Sequence, residues 1–228
     1  MQNAIRGIRK HSPDLLIIAD VCFCQYTNHG HCCELDENGV LDNDATLLGL
    51  AKQSVSLAEA GAHVVAPSGM IDGMVGSIRS ALEGSGHAYV SILSYAVKYA
   101  SAYYGPFRDA AEASPQKGDR ASHQMDIRNS SEALREIACD IDEGADWAII
   151  KPAGPCLDVI QKIHLQYPEF PLVGYQVSGE YAALIAAIEK GWLSESAILE
   201  SLIAIKRSGC RAVITYFAEQ VATLLRSR

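Results

Sequence analysis

Short apolar runs alternate with longer segments of helical period along this chain, and this alternation most constrains its fold. Many of the helical segments have apolar residues at i, i+3 and i+4 and end in glycine, as Ala45–Gly61, Ser131–Gly144, Ile185–Gly191 and Glu195–Gly209 do. Because the short runs are predominantly apolar rather than alternating, they predict strands buried on both faces, and hence a parallel sheet. The six runs are Leu15–Val21, His63–Ser68, Tyr89–Ala96, Trp147–Ala153, Pro171–Val177 and Ala212–Phe217.

Two architectures have this alternation, a doubly wound open sheet and a (β/α)8 barrel. No G-x-G-x-x-G follows any of the runs, which weakens a dinucleotide-binding fold. Polar residues of reactive type stand at or just past the ends of different runs, and in a barrel such ends converge on one mouth. We therefore predict a TIM barrel. The six polar residues are Asp20, Ser68, Lys98, Lys151, Ser178 and Tyr216.

The number of strand runs is lower than a closed barrel requires. A complete barrel has eight βα units and typically takes about 250 residues, whereas this chain has 228. A helix-like segment, Asn3–His11, precedes the first run directly. We therefore expect one partial barrel domain over residues 1–228, with about six βα units present and two absent at the N-terminus.

Composition limits the partners of this domain. Its apolar content of 49% excludes disorder, and its formal net charge of −8 argues against nucleic acid or an anionic membrane surface as the main partner. No apolar run approaches the roughly 20 residues that cross a bilayer, and the first residues lack the layout of a signal peptide. We expect a cytoplasmic protein.

Four of the seven cysteines fall between Cys22 and Cys33. Cys22, Cys24 and Cys32 form a C-x-C-x7-C arrangement, and three thiolates from a strand end and its loop can occupy three corners of a tetrahedron. Zinc prefers such ligands, and an open fourth position is typical of a catalytic site. The alternative is a set of incidental thiols. The pattern predicts a zinc site in which Cys33 takes no part.

Lys98 and Lys151 each end a buried apolar run. A neutral lysine amine is a nucleophile toward ketones and forms a Schiff base, and both burial and a neighbouring cation lower its pKa. Two such lysines facing one mouth would lower each other's pKa. Either lysine alone also fits a solvated residue at a strand end.

Residues 103–124 are rich in glycine, proline and small residues and carry Arg108, Lys117 and Arg120. A long loop over a barrel mouth is typical of a lid, and its arginines suit a carboxylate. The alternative is a solvated surface loop.

Several long motifs resemble those of the δ-aminolevulinic acid dehydratase (porphobilinogen synthase) family along nearly the whole chain. The resemblance implies a TIM barrel with an N-terminal arm, typically assembled as a homo-octamer. It also implies the condensation of two 5-aminolevulinate molecules to porphobilinogen with loss of two waters, in tetrapyrrole biosynthesis. The motifs are DVCFCQYT, NHGHC, LDNDATL, VAPS, SYAVKYASAYYGPFRDAA, KGDR, HQM, EGADWAIIKPAG, YQVSGEYA, LESLIAIKRSG and ITYF.

The same resemblance implies roles for thirteen residues. Lys151 and Lys98 are the Schiff-base lysines of the P-side and A-side substrates, and Cys22, Cys24 and Cys32 are ligands of a catalytic zinc. Glu136 corresponds to an allosteric magnesium ligand. The remaining seven are implied substrate contacts: Arg108, Arg120 and Gln124 at the A-side carboxylate, Ser178 and Tyr216 at the P-side carboxylate, and Asp20 and Ser68 in the A-side pocket.

Two other functions compete with this reading. A catalytically silent fragment would retain only metal or partner binding, since a barrel lacking strands exposes sheet edges. A class I aldolase needs one Schiff-base lysine and no thiolate cluster, so the second lysine and the cysteines argue against it. We therefore expect a zinc-dependent lyase that acts on a small molecule.

Overall fold

The computed structural model describes residues 1–24, 26–27, 30–111 and 123–226. Within these ranges, eight strands form one six-stranded sheet and one small hairpin. The strands are β1 (Ile18–Val21), β2 (Glu34–Leu35), β3 (Leu41–Asp42), β4 (Val64–Pro67), β5 (Ser91–Lys98), β6 (Trp147–Lys151), β7 (Leu172–Tyr175) and β8 (Ala212–Ile214).

Helices connect the strands of the large sheet. The side chain of Asp42 caps the first long connecting helix by accepting the N–H of Ala45 at 3.0 Å, and Gly61, at φ +106°, lies just beyond its end. The helices are α1 (Gln2–His11), α2 (Asn43–Glu59), α3 (Met74–Gly84), α4 (Gly105–Ala110), α5 (Glu132–Asp142), α6 (Leu157–Gln166), α7 (Ser178–Glu189), α8 (Ser196–Arg207) and α9 (Ala218–Arg226).

All neighbouring strands of the large sheet are parallel, in the order β1-β4-β5-β6-β7-β8. Sequential parallel strands joined by helices are the repeating unit of barrels. The predicted α/β fold with a TIM-like parallel sheet is therefore confirmed. Each of the six predicted runs corresponds to one strand of this sheet, although β5 extends two residues past the predicted end at Ala96. The hairpin β2–β3 was not predicted, because two-residue strands leave no periodic signal.

The two faces of the sheet are packed differently. Two apolar clusters join strand residues to helix residues on the outer face, for example Ile150 with Ile160 and Ile205. The buried residues of a third cluster come from strands alone, and they define the inner face of the sheet. These residues are Val64, Ala66, Leu93, Tyr95, Ile149 and Val173.

The predicted helices Ala45–Gly61, Ser131–Gly144 and Glu195–Gly209 correspond to α2, α5 and α8, and Asn3–His11 corresponds to α1. The segment Ile185–Gly191 marks only the end of α7, which begins at Ser178. Among the described residues, no helix has the length and apolar character needed to cross a membrane.

Candidate active site

Polar side chains gather where the strands of the large sheet end. Lys98 and Lys151 are the last residues of β5 and β6, and Asp20 is the third residue of β1. Ser68 directly follows β4, and Tyr216 lies just beyond β8. Because the strands are parallel, their carboxyl ends share one edge of the sheet, which is the edge that carries active sites in barrels.

A cavity of about 280 Å³ lies at this edge. Eleven of the thirteen residues singled out from the sequence line it, although they come from segments spread across most of the chain. The tertiary structure therefore brings the implied lysines, thiols and substrate contacts into one site. These eleven residues are Asp20, Cys22, Cys24, Cys32, Ser68, Lys98, Arg108, Gln124, Lys151, Ser178 and Tyr216.

The two lysines are direct neighbours across β5 and β6, where the Cα atoms of Lys98 and Lys151 are paired in register. Adjacent strands lie about 4.8 Å apart, so both side chains leave the sheet at the same level. A register shift between Ser94 and Val97 gives β5 one residue more than β6 over this interval. The shift matters because Tyr95 and Lys98 are three apart, and a regular strand would place them on opposite faces.

Lys98 is 7% exposed, and its ammonium donates a hydrogen bond to the backbone carbonyl of Ser68 at 2.5 Å. This contact holds the amine beside the end of β4. Lys98 also lies 5.6 Å from the centre of the Tyr95 ring.

Three tyrosine rings surround the amine of Lys151, with centres at 4.2 Å for Tyr175, 5.2 Å for Tyr95 and 5.3 Å for Tyr104. Burial and, after it, the charge of Lys98 lower the pKa of Lys151 from 10.5 to about 7, against an opposing effect of Asp20. A substantial fraction of Lys151 is therefore neutral, and nucleophilic, near neutral pH.

Asp20 is the acidic group beside the lysines. Burial and the neighbouring Cys22 raise its pKa from 3.8 to about 6, although Lys98, Lys151 and a hydrogen bond from Ser68 oppose the rise. The Ser68 hydroxyl is also 3.4 Å from the carbonyl of Val21.

The sulfur atoms of Cys22, Cys24 and Cys32 all lie within 4.8 Å of one another, and those of Cys22 and Cys24 are 3.2 Å apart. Tetrahedral zinc with Zn–S bonds of about 2.3 Å requires sulfurs about 3.8 Å apart, so the cluster fits such an ion with small adjustments. Among the described residues, this is the one group of three or more metal-ligating side chains close enough to share an ion.

Arg108 and Gln124 carry buried polar atoms at the cavity wall. The Nε of Arg108 and both amide atoms of Gln124 have no hydrogen-bond partner among the described residues. Unpaired buried polar atoms are costly, and a bound carboxylate or carbonyl would pair them. Their position in the cavity therefore points to a polar ligand.

Ser178 and Tyr216 also line the cavity. The Ser178 hydroxyl accepts the N–H of Phe107 at 3.0 Å and approaches the carbonyl of Tyr103 at 3.4 Å, so it joins α7 to the segment that carries Arg108. Tyr216 is 48% exposed, and its hydroxyl is within reach of Tyr175.

Two of the thirteen residues are not part of the described cavity. Arg120 lies outside the described residues. Glu136 lies on α5 away from the cavity, where burial raises its pKa and the charges of Glu132 and Asp72 raise it further. Its role as a magnesium ligand stays a prediction.

The tyrosines around Lys151 were missed at the sequence level. Tyr95 and Tyr175 each follow an inner-face residue by two positions, after Leu93 and Val173 respectively. Period-two alternation along the strands would therefore have placed both rings on the inner face. Tyr104 gave no such signal, since it lies in a short helical turn after β5.

Paired lysines, one of them with a lowered pKa, beside a thiol cluster at the carboxyl edge of a parallel sheet are typical of enzymes that form Schiff bases with carbonyl substrates. The model of the family described as Delta-aminolevulinic acid dehydratase matches residues 1–224. The chain belongs to this family, and the resemblance stated from its motifs is confirmed.

Individual relatives agree. The chain is 51% identical to the Delta-aminolevulinic acid dehydratase of Archaeoglobus fulgidus and 48% identical to that of Bacillus subtilis; in each case the match covers 99% of this chain and 69% of the relative. The crystal structure of the delta-aminolevulinic acid dehydratase (porphobilinogen synthase) of Toxoplasma gondii, in complex with the reaction product porphobilinogen, superimposes on this chain with a TM-score of 0.95. The two sequences are 46% identical. That match covers 98% of this chain and 64% of the other. The predicted activity, porphobilinogen synthesis by a hydro-lyase, is thus confirmed as that of the family.

Proposed function

We propose that this chain condenses two molecules of 5-aminolevulinate to porphobilinogen, with loss of two waters, on a sheet that is part of a (β/α)8 barrel. The observation that carries the proposal is the in-register pair Lys98 and Lys151 beneath one cavity. A single Schiff-base lysine serves an aldolase, whereas two adjacent amines match a reaction that joins two ketones.

Lys151 is proposed to react first. Its neutral amine attacks the ketone carbon of the P-side substrate, and loss of water leaves an imine between the lysine nitrogen and that carbon. The lowered pKa supports this order, because the neutral form is already present near pH 7. Lys98 then forms the equivalent imine with the A-side substrate.

The other wall residues are proposed to orient the two substrates. Arg108 and Gln124 would bind the A-side carboxylate, and their unpaired buried atoms support this role. Arg120 is proposed as a second lid arginine. Ser178 and Tyr216 would bind the P-side carboxylate through neutral hydrogen bonds.

Asp20 is proposed to lie beside the A-side amine together with Ser68. Its carboxyl lines the same cavity as the two lysines and interacts with both of their charges. In that position it would hold the A-side amino group in place while the carbon–nitrogen bond of the product forms.

Zinc is the proposed metal at Cys22, Cys24 and Cys32, because three thiols with nearby sulfurs match its preferred donors. When bound, zinc supplies Lewis-acid polarisation of a substrate amine or carbonyl. Homo-oligomer formation, as the octamer that the resemblance implies, remains a prediction.

Reductive trapping tests the lysine chemistry. The chain is incubated with 5-aminolevulinate and borohydride, and the modified peptides are mapped by mass spectrometry. We expect an adduct first at Lys151 and then at Lys98, and none at the exposed control Lys162. A folded chain that traps nothing at either lysine would refute the proposal, and retained zinc in that case would favour the silent metal-binding alternative.

Metal analysis tests the thiol cluster. We expect about one zinc per chain, lost on substitution Cys24→Ser and retained on substitution of Cys139, an exposed cysteine on α5. Chelation should abolish porphobilinogen formation and added zinc should restore it. Activity indifferent to chelators would exclude the zinc role.

A further inference from the structure

The irregularity in β5 decides which face of the sheet Lys98 occupies. Leu93 and Tyr95 belong to the inner face, as regular alternation requires. The next two residues, Ala96 and Val97, both pack into the outer cluster with helix residues, and Lys98 then lines the cavity. Two consecutive residues on one face are the mark of a β-bulge.

A regular β5 would reverse this arrangement. Without the extra residue, Val97 would face the cavity and Lys98 would face the apolar layer beneath α5, where Ala133 and Ile137 are fully buried. An ammonium there would have no water and no counter-charge. The bulge is therefore required for Lys98 to reach the cavity.

Ser94 anchors the strand at the start of the bulge. It is the last residue in register with β6 before the shift, where it pairs with Ala148. Its side chain is fully buried, and its hydroxyl donates a hydrogen bond to Oδ2 of Asp140 on α5 at 2.5 Å. This bond joins the strand to the helix that covers its outer face.

Asp140 is itself constrained. It lies near the end of α5, and its backbone carbonyl accepts the N–H of Ala145, which fixes the turn after the helix. A slip of β5 by one residue would move the Ser94 hydroxyl away from this carboxylate and leave a largely buried acceptor without its donor, which is costly.

We propose that Ser94 and Asp140 are positioning residues that hold the bulge of β5 in the register that directs Lys98 into the cavity. The inference rests on the proposed function, because it assumes that Lys98 forms an imine. Neither residue lines the cavity, so both act through the backbone of β5.

The test is the partition of trapped adduct between the two lysines. Wild-type protein, Ser94→Ala, Asp140→Ala and Asp140→Asn are treated with 5-aminolevulinate and borohydride, and the adducts at Lys98 and Lys151 are measured separately. Ser54→Ala is the matched control, because Ser54 is fully buried on α2 and its hydroxyl has no partner among the described residues.

We expect the ratio of Lys98 adduct to Lys151 adduct to fall about tenfold in Ser94→Ala and Asp140→Ala, since leaving a buried polar group without its hydrogen-bond partner costs about that factor. Asp140→Asn keeps an acceptor oxygen and should restore most of the ratio. Ser54→Ala should match wild type.

Two results would overturn the inference while leaving the proposed function intact. The first is an unchanged ratio of Lys98 adduct to Lys151 adduct in Ser94→Ala. The second is an equal loss of adduct at both lysines that parallels a fall in thermal stability, because such a loss indicates general destabilisation. Absence of adduct at both lysines of the wild-type protein would refute the proposed function and the inference together.

Discussion

Replacing Lys98 with methionine should raise the pKa of Lys151 and move its reactivity to higher pH. The positive charge of Lys98 is the second-largest cause of the lowered pKa of Lys151, after burial. Methionine keeps an unbranched apolar chain but removes the ammonium. The charged form of Lys151 then loses a repulsive neighbour and becomes more stable, while its burial is unchanged.

The size of the shift follows from the paired register. Two unit charges about 5 Å apart repel by about 3 kcal/mol at an effective dielectric constant of about 20, which corresponds to about 2 pKa units. The pKa of Lys151, about 7 in the wild-type protein, should therefore approach about 9 in the variant. The neutral fraction at pH 7 falls from about one half to about one hundredth.

The assay is the pH dependence of imine formation at Lys151, measured as the initial rate of borohydride-trapped adduct between pH 5.5 and 10 (about half a unit per step). The wild-type profile should rise with an inflection near pH 7, and the Lys98→Met profile with an inflection about 2 units higher. Lys162→Met controls for the loss of one positive charge from the surface and should leave the inflection in place. An inflection still near pH 7 in Lys98→Met would refute the reasoning, because burial alone would then account for the shift.

Two further substitutions test the packing around the site. Gly179→Ala should lower the free energy of unfolding by about 1–3 kcal/mol and raise the KM for 5-aminolevulinate, because a Cβ there would lie 2.5 Å from the backbone oxygen of Tyr103, next to the segment that carries Arg108. Gly84→Ala is the control, because Gly84 has open space around it. Equal urea midpoints for the two variants would contradict the prediction. Ile150→Ala, in the outer cluster and fully buried, should lower the free energy of unfolding by about 2–5 kcal/mol in urea titrations, whereas a loss below about 1 kcal/mol would show that this core repacks.

The order of strands and helices could be predicted because it rests on local patterns. Predominantly apolar runs, many of them preceded by glycine-terminated helical segments, identified all six strands of the sheet. Helix α7 was placed too late, since its residues Ala182–Ala187 are small and apolar on every side and give no helical face to recognise. The hairpin β2–β3 was too short to leave a pattern at all.

The candidate site could be predicted to a large extent because strand ends in a parallel sheet converge. That rule places Lys98, Lys151, Asp20 and Ser68 at one edge of the sheet. The rule does not predict the tyrosine rings around Lys151, because their positions depend on how side chains from separate segments pack together. Nor could it show that the Ser178 hydroxyl already binds the backbone near Arg108.

The amino-acid sequence by itself determined the α/β class, the family and the residues proposed to carry the chemistry, since each of these follows from local spacing or from motifs. The tertiary structure alone decided that Lys98 faces the cavity. Strand periodicity counted from Tyr95 places Lys98 on the outer face of the sheet. Only the bulge in β5 turns Lys98 to the inner face, and this bulge depends on pairing with β6 and on packing under α5. Register in a sheet is a property of neighbouring strands, and one strand's sequence does not contain it.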